Sequence, residues 1–346
     1  MLSIGSIASL RKIKLSKIMM QLERNNIIGA HSVASLTVDE GSNGQRIDNF
    51  LAKMLKGVPK SHIYRILRSG EVRVNKGRID ASYKLALGDI VRIPPIRIAT
   101  VEKEVINAPA TLILEKTIIF EDDALLVIDK PAGFAVHGGS GVSRGVIEQL
   151  RLERPKAKFL ELVHRLDRET SGVLMLAKKR AALVALHEMI RNNKTDKRYV
   201  MLVAGKWVDN KKRVILDLQK YVLPNGERRV NVVTDKSKDK YDEAQVSETI
   251  FYLKQNFVGY SLLEAQLVTG RTHQLRVQLA HLGFPIVGDD KYGDFALNKK
   301  LSKKGLKRMF LHSAQTNLLH PVSGEKLKLV APLPLELHRF IQTLDN

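Results

Sequence analysis

The sequence predicts an α+β fold in which a small basic module precedes a larger domain with a mixed, largely antiparallel β-sheet. In the larger domain the expected strands outnumber the expected helices, and few strand–helix–strand units alternate cleanly. A Pro94-Pro95 pair followed by a mixed-charge stretch separates the two parts. The chain has 346 residues, 44% of them hydrophobic, which is long enough for two domains.

Shifts in composition divide the chain into four predicted segments. Residues 1–35 are expected to form a basic, disordered extension, 36–93 the small module, 94–112 a linker, and 113–346 the larger domain. The first charges of the extension follow its apolar residues, whereas they precede them in a secretory signal. We therefore predict no secretory signal.

The segment 46–93 has the pattern of a helix pair with a small hairpin. Apolar stripes predict one helix over 46–55 and a second that begins at an N-cap, Ser61, and stops at Gly70. Short strands are predicted near 72–74 and 90–93. Eleven Lys and Arg against four Asp and Glu give the segment a charge of +7. A module of this size has little room for a catalytic pocket, so we interpret it as a binding platform.

The larger domain shows short apolar segments and one clear helical pattern. Its first predicted strands lie at 125–128, 172–177 and 199–204. A hairpin is predicted from 246–255 and 260–268, with a turn at Val258-Gly259. The segment 271–282 predicts a helix that ends before Gly283. The lysine-rich stretch 299–308 indicates either a solvated helix face or a contact with phosphates.

The composition narrows the possible partners and chemistry. Lys and Arg total 57 against 36 Asp and Glu, a formal charge of +21, which makes RNA or DNA the first candidate partner and an anionic membrane surface the second. The absence of cysteine excludes disulfides, thiolate catalysis and zinc–thiolate sites, and it fits a reducing cytoplasm. No apolar run reaches about 18 residues, so no transmembrane helix is expected.

The densest polar cluster in the chain is HRLDRETSG at 164–172, which joins two apolar segments. Within it, Asp167 lies between Arg165 and Arg168, and either arginine would favour the charged carboxylate from within about 4–6 Å. An ionised carboxylate in a cleft acts as a nucleophile or a base. An ordinary turn aspartate instead forms a surface ion pair. The residue pattern alone leaves both interpretations open.

Two further segments carry groups of interest. Residues 270–276 place cationic and hydrogen-bonding side chains at a predicted helix start, which favours anions. Lys197-Arg198-Tyr199 leads a strand, where the phenol provides a stacking surface, a proton relay or only core packing. Residues 141–145 match G-x-S-x-G around Ser143, but no strand leads directly into that turn, which disfavours serine hydrolysis. No nucleotide-hydrolysis or two-histidine zinc motif occurs.

Taken together, these motifs resemble those of a known family. The run HRLDRETSG, with DKPAG upstream and KRYVMLVAG and TGRTHQLR downstream, resembles the RluA-type pseudouridine synthases over about residues 118–335. The segment 46–93 resembles the small alpha-L RNA-binding module that precedes the catalytic domain in many of them. Within the family, KGVPKSHIYRILRSGEVRVNKGRI and AVHGGSGVSRGVIE are most similar to the RluC branch, the large-subunit ribosomal RNA pseudouridine synthases.

The resemblance implies roles for individual residues. Asp167 corresponds to the family's essential aspartate, and Tyr199 to the active-site tyrosine that packs against the target base. Arg271 corresponds to the arginine that pairs with the aspartate, and Leu275 to the aliphatic residue that lines the pocket. The pocket is also expected to include His164 and Arg165, and the expected RNA-binding residues are Arg46, Lys60, Arg65, Arg68, Arg73 and Arg168.

The resemblance also implies the activity and the partners. It implies isomerisation of uridine to pseudouridine in large-subunit ribosomal RNA, with flipping of the target base and without a cofactor or metal. The expected partner is that RNA, free or in assembly intermediates, and we expect a monomeric, cytoplasmic protein without membrane contact. The competing hypothesis is a non-catalytic RNA-binding or ribosome-assembly protein. Such a protein would not need Asp167, Tyr199 and Arg271 together.

Overall fold

The computed structural model describes residues 32–55, 57–96, 113–138, 144–224, 226–233 and 244–344. The chain divides into two compact units, Met1–Val105 and Ile106–Asn346. Residues 1–31 of the predicted extension, most of the predicted linker, and Ser143 lie outside the described residues. Within the described ranges, no helix is long and apolar enough to cross a membrane.

The first unit contains the predicted helix pair and a three-stranded sheet. Its elements are β1 (Ala34–Thr37), α1 (Ile47–Met54), α2 (Lys60–Arg68), β2 (Arg73–Val74) and β3 (Ile90–Ile93). The strand order is β1–β3–β2. Both helices turn their apolar stripes towards the strands, and Ile47, Leu51, Ile63 and Val91 are buried in the shared core. The basic side chains of α2 therefore face solvent.

Two predictions for this unit were wrong in detail. Strand β1 begins at Ala34, inside the segment assigned to the extension, because β1 pairs with β3 along its whole length. Ser61 is not the N-cap of α2. The helix begins at Lys60, directly after Pro59, whose ring sets a φ of −58° that leads into the first turn.

The second unit is built on a sheet of eleven strands. After a short 3-10 helix (Leu114–Thr117), its elements are β4 (Ile118–Glu121), β5 (Leu125–Lys130), α3 (Val146–Glu153), β6 (Glu161–Leu162), β7 (Ser171–Ala177), α4 (Arg180–Arg191), β8 (Asp196–Ala204), β9 (Lys211–Val222), β10 (Arg228–Val232), β11 (Gln245–Phe257), β12 (Tyr260–Leu267), α5 (Gln274–His281), α6 (Phe295–Lys303), β13 (Leu311–Leu319), β14 (Lys326–Val330) and α7 (Leu335–Gln342).

The strand order confirms the predicted mixed, largely antiparallel sheet. It runs β10–β9–β11–β12–β8–β13–β7–β5–β4, with β14 paired to β13 and β6 paired to β7. All described pairings are antiparallel except that of β13 with β7. Strands β11 and β12 form the predicted hairpin, which turns at Val258-Gly259. The largest core lies under α3 and α5, and smaller cores lie under α4 and under α6 with α7.

The parallel contact between β7 and β13 determines where the site forms. It covers two residue pairs, Ser171 with His312 and Gly172 with Ser313. Gly172 has a φ of 108°, and a Cβ atom there would clash with the carbonyl oxygen of Ser313, so the contact requires glycine. Because β7 follows directly on the loop 163–170, this junction holds that loop beside β13.

Candidate active site

A cavity of about 300 Å³ in the second unit has Asp167 in its wall, and we call it the Asp167 cavity. Most of its lining comes from four segments: the loop before β7, the start of β8, the turn into α5, and the first residue of β13. Of the residues that the sequence predicted, it contains Asp167, Tyr199, Arg271, Leu275, His164 and Arg165. The fold thus brings three separate sequence motifs to one cavity.

The Asp167 carboxylate is held from one side only. The main-chain carbonyl of Asp167 accepts a hydrogen bond from the Thr170 amide at 3.1 Å, and this bond closes the turn. The side chain is 19% exposed, and its Oδ2 lies 3.1 Å from Nη1 of Arg276 and 3.8 Å from Nε2 of His273. Among the described residues, none donates a hydrogen bond to Oδ1. Oδ1 is therefore the oxygen available to a ligand.

Arg276 is anchored behind Asp167 by other acidic residues. Its Nε and Nη2 each lie 2.7 Å from one oxygen of Asp289, and both side chains are buried. Nη2 also lies 3.1 Å from Asp290, and Cζ lies 5.3 Å from the centre of the Tyr292 ring. Because these contacts fix the guanidinium plane, Nη1 is directed at Asp167 and positions its carboxylate.

Burial and pairing have opposite effects on the charges of Arg276 and Asp289. Burial disfavours the arginine cation, but hydrogen bonds with Asp289 and the attraction of Asp167 hold the pKa of Arg276 above its ordinary value. Burial also disfavours the Asp289 anion, yet the hydrogen bonds from Arg276 leave its pKa lowered. Both groups are charged at neutral pH, and Arg276 presents a fixed cation to Asp167.

The prediction that Arg271 pairs with Asp167 was wrong. Helix α5 begins three residues later than predicted, and His273 before it adopts a left-handed conformation with a φ of 52°. This turn leaves Arg271 exposed at the rim of the cavity, where its Nε donates to the Val246 carbonyl at 3.1 Å. Arg276 instead lies in the first turn of α5, a helix buried on nearly every side.

His273 is a further neighbour of Asp167, and no individual role was predicted for it. Its Nδ1 lies 2.8 Å from the hydroxyl of Tyr292, which also accepts the Val230 amide at 2.9 Å. When that hydroxyl donates to Nδ1, the ring hydrogen is on Nε2, the atom nearest Asp167. Burial lowers the pKa of His273, and the attraction of Asp167 opposes this only in part. The left-handed turn in the TGRTHQLR motif places the imidazole there.

The remaining wall of the Asp167 cavity is largely apolar. Tyr199 on β8 is 7% exposed, and burial raises the pKa of its hydroxyl to about 12, so the phenol is neutral. Leu275 is 5% exposed and lies in the same wall as Leu267 and Leu311. Lys197 adds one amine, whose pKa burial lowers. An aromatic ring among aliphatic side chains suits a flat ligand ring.

The other predicted residues of the loop 163–170 have different surroundings. Nε2 of His164 accepts the Met175 amide at 3.1 Å, and burial lowers the pKa of His164 to about 4, so it is a neutral anchor of the loop. Arg165 is exposed and lines both the Asp167 cavity and a neighbouring cavity of about 480 Å³. Arg168 lies at the surface, where its Nε is 2.9 Å from Glu169.

Lys130 is a buried residue whose part in the site was not predicted. Its Nζ donates to the carbonyls of Pro131 and Phe134 at 2.8 Å and of Arg168 at 3.0 Å. The side chain is fully buried, and this burial lowers its pKa to about 7. The bonds tie the turn after β5 to the residue that follows Asp167. A lysine between a buried strand and a Pro-Ala-Gly turn was the available signal.

The predicted RNA-binding residues of the first unit are exposed: Arg46, Lys60, Arg65, Arg68 and Arg73. Arg46 pairs with Asp48 at 2.8 Å, and Nε of Arg73 donates to the Gly70 carbonyl at 3.3 Å. The three on α2 have no carboxylate partner among the described residues. Helix α2 therefore presents uncompensated positive charge to solvent, as an anion-binding surface requires.

The site thus offers carboxylate chemistry beside a pocket for a flat ring. Across the described part of the chain, no group of three or more His, Cys, Asp or Glu could hold a metal ion. Asp167 is oriented by Arg276, has one accessible oxygen, and lines the same cavity as Tyr199 and Leu275. A carboxylate in this position can attack an electron-poor carbon or accept a proton.

Comparisons with known proteins agree with this geometry. Residues 124–281 match the family model described as RNA pseudouridylate synthase, and residues 45–91 match the S4 domain. The chain is 48% identical over 324 residues to ribosomal large subunit pseudouridine synthase C of Haemophilus influenzae, covering 93% of this chain and 98% of that protein. It is 49% identical over 318 residues to the protein of the same name from Escherichia coli K12, covering 91% and 97%.

A solved structure is also similar. The human RNA pseudouridylate synthase domain containing 4 matches with a TM-score of 0.53 and 28% identity, covering 67% of this chain and 94% of that one. These matches confirm the resemblance inferred from HRLDRETSG and its companion motifs. The chain therefore belongs to the RNA pseudouridylate synthase family and carries an S4 domain ahead of its synthase domain.

Proposed function

We propose that this protein converts uridine to pseudouridine in large-subunit ribosomal RNA, with Asp167 as the catalytic carboxylate. We infer the substrate class from the names of the relatives, whose matches cover more than 90% of this chain. The observation that carries the residue assignment is the Asp167 carboxylate, fixed by Arg276 at one oxygen and open to the cavity at the other. The non-catalytic alternative has no corresponding use for this arrangement.

The reaction balances without any added reagent. The bond between N1 of uracil and carbon 1′ of the ribose breaks, the base rotates, and carbon 5 bonds to carbon 1′. The hydrogen on carbon 5 leaves, and N1 gains one, so the product is an isomer. Carbon 1′ becomes electron-poor as the first bond breaks, and Oδ1 of Asp167 is the group that attacks it or removes a ribose proton.

The other residues of the cavity act on the flipped base. Leaving the RNA stack costs a few kcal/mol, and stacking on an aromatic side chain returns about 1–3 kcal/mol. Tyr199 and Leu275 provide that surface in the proposal. Arg276 takes the pairing role that the family resemblance implied for Arg271, and His273 supports the same carboxylate oxygen. Arg165, exposed beside the cavity, contacts the RNA around the target.

The S4 domain supplies affinity for the RNA in this proposal. Arg65→Glu combined with Arg68→Glu is expected to weaken RNA binding and to reduce the slope of log affinity against log salt by about 1.5, since each lost phosphate contact removes roughly 0.7–0.9. Filter binding across a salt series measures this slope. Lys76→Glu with Lys84→Glu, the same reversal away from α2, is the control. Equal slopes for both double variants would exclude α2 as the platform.

We further propose that the protein acts as a monomer in the cytoplasm, on free RNA or assembly intermediates, because the RNA itself provides the partner surface.

The test of the activity uses purified protein and an unmodified large-subunit ribosomal RNA transcript with tritium at carbon 5 of uridine. Each conversion releases one tritium to water. Stoichiometric release is expected, and tight RNA binding without release would support the non-catalytic alternative.

A further inference from the structure

A cleft of about 560 Å³ lies next to the Asp167 cavity and has no part in the chemistry described above. Its walls carry three lysines from two separate segments, together with one carboxylate and several amides. We call it the lysine cleft and define it by Lys194, Asp196, Leu267, Asn317, Lys326 and Lys328.

One wall is fixed by the way in which α4 ends. Asn193 adopts a left-handed φ of 53°, and its amide bonds to the carbonyl of Ile190 at 3.2 Å. The amide of Lys194 bonds to the carbonyl of Met189 at 2.8 Å. This pair of bonds is the Schellman motif, which terminates a helix in one defined geometry. The backbone that carries Lys194 is therefore held in place at the edge of the cleft.

The other wall is a row of side chains across three strands. Asp196 of β8 lies directly opposite Asn317 of β13, and Asn317 lies directly opposite Lys328 of β14. Residues opposite one another in antiparallel strands point to the same face. Lys326, two residues before Lys328, projects to that face as well. The β-sheet register thus aligns two lysines with the amide and the carboxylate.

The lysine cleft is electropositive because its carboxylate is already compensated. Oδ1 of Asp196 lies 2.8 Å from Nε of Arg198, and Oδ2 accepts Nδ2 of Asn317 at 3.0 Å. Among the described residues, the three lysines form no ion pair, and all three are exposed. Uncompensated ammonium groups around one cavity attract an anion, and phosphate groups suit lysine well as a point charge.

The lysine cleft and the Asp167 cavity meet at the end of β12. Leu267 lines both of them. Along β8, Asp196 and Tyr199 are three positions apart, about 10 Å in an extended strand. Their side chains point to opposite faces of the sheet, so the path between the two cavities passes over the strand ends. A chain that enters the Asp167 cavity from this side meets the lysines just outside it.

We propose that the lysine cleft binds the phosphodiester backbone of the RNA strand adjacent to the target uridine. This inference rests on the proposed function, because an RNA substrate is what would bring a run of phosphates to the rim of the Asp167 cavity. The lysines contact phosphates of neighbouring nucleotides and carry no part of the chemistry. Their contribution therefore belongs to substrate binding, with an effect on KM and not on kcat.

The test removes one lysine from each wall. For Lys194→Ala combined with Lys328→Ala, we expect KM for the large-subunit ribosomal RNA transcript to rise about tenfold at unchanged kcat. The slope of log kcat/KM against log salt is expected to fall by about 1.5, the sum for two phosphate contacts. Tritium release across a salt series gives both quantities, and thermal melting verifies that the variant folds as the wild type does.

The matched control is Lys206→Ala with Lys254→Ala, two exposed lysines outside the cleft, of which Lys206 follows the end of β8 and Lys254 lies on β11. Wild-type KM and slope are expected for this control. If the cleft variant has the same KM and slope as the control, the proposal is wrong. If the wild type itself releases no tritium, the proposed function has failed, and filter binding of the same two variants still decides whether the cleft contacts RNA.

Discussion

Replacing Asp167 with Asn is expected to reduce pseudouridine formation by roughly 10⁴-fold or more. The amide has nearly the same size, but it is a poor nucleophile and base, and it carries no charge to stabilise an electron-poor carbon 1′. The measurement is tritium release from carbon-5-labelled large-subunit ribosomal RNA with enzyme in excess over RNA. Asp167→Glu provides a companion variant, because it retains the charge but moves the oxygens by one methylene.

The fold and the RNA affinity of the Asn variant are expected to be close to wild type. Arg276 retains both oxygens of Asp289 when Asp167 loses its charge, so no buried cation is left without a partner. Filter binding and thermal melting provide these controls. Release by Asp167→Asn at more than a few per cent of the wild-type rate, with binding intact, would remove Asp167 from the chemistry.

Arg276→Met is expected to have the second-largest effect, because it acts on both stability and activity. The substitution leaves the buried Asp289 carboxylate unpaired, which costs about 3–5 kcal/mol of unfolding free energy. It also releases Oδ2 of Asp167, and loss of that orientation is expected to lower kcat by about 100-fold or more. Denaturant unfolding and single-turnover tritium release measure the two effects.

Arg271→Met is the matched control for Arg276→Met. The side chain of Arg271 is exposed and, among the described residues, bonds only to the Val246 carbonyl, so its loss should change stability by no more than about 0.5 kcal/mol. Arg276→Lys, which retains a cation without the planar fork, should fold better than Arg276→Met and remain slow, because lysine cannot hold two carboxylates in the same way. A larger kcat loss for Arg271→Met than for Arg276→Lys would contradict the assignment of the pairing arginine.

The elements that could be predicted from the sequence are those whose pattern is local. The β11–β12 hairpin follows alternating apolar residues and turns at Gly259, as predicted. Strands β9 and β13 were not predicted. Strand β9 lies next to the edge strand β10 and carries charged residues on both of its faces, so it lacks an alternating apolar pattern. The buried residues of β13 include the polar side chains His312 and Ser313. His312 is satisfied there by Ser171 at 2.9 Å and by the Ala331 carbonyl at 3.0 Å, contacts that no local pattern reveals.

The site was predictable only as far as its motifs extend. Asp167, Tyr199 and Leu275 line one cavity. Their place in the site could be predicted because each is part of a recognisable run of residues. The choice between the two arginines of TGRTHQLR depended on where α5 begins, and the left-handed residue before that helix gives no periodic signal. Gln274 and Gln278 of α5 are buried as well, so the polar residues of this helix do not mark a solvent-facing side from which the direction of Arg276 could be inferred.

The most direct test maps pseudouridines in large-subunit ribosomal RNA from cells that lack this protein. The same strain is then supplied with the wild-type protein or with Asp167→Asn at equal abundance. We predict that specific pseudouridines are missing in the deletion strain, return with the wild type, and do not return with the Asn variant. An unchanged pseudouridine map in the deletion strain, or full restoration by Asp167→Asn, would contradict the account.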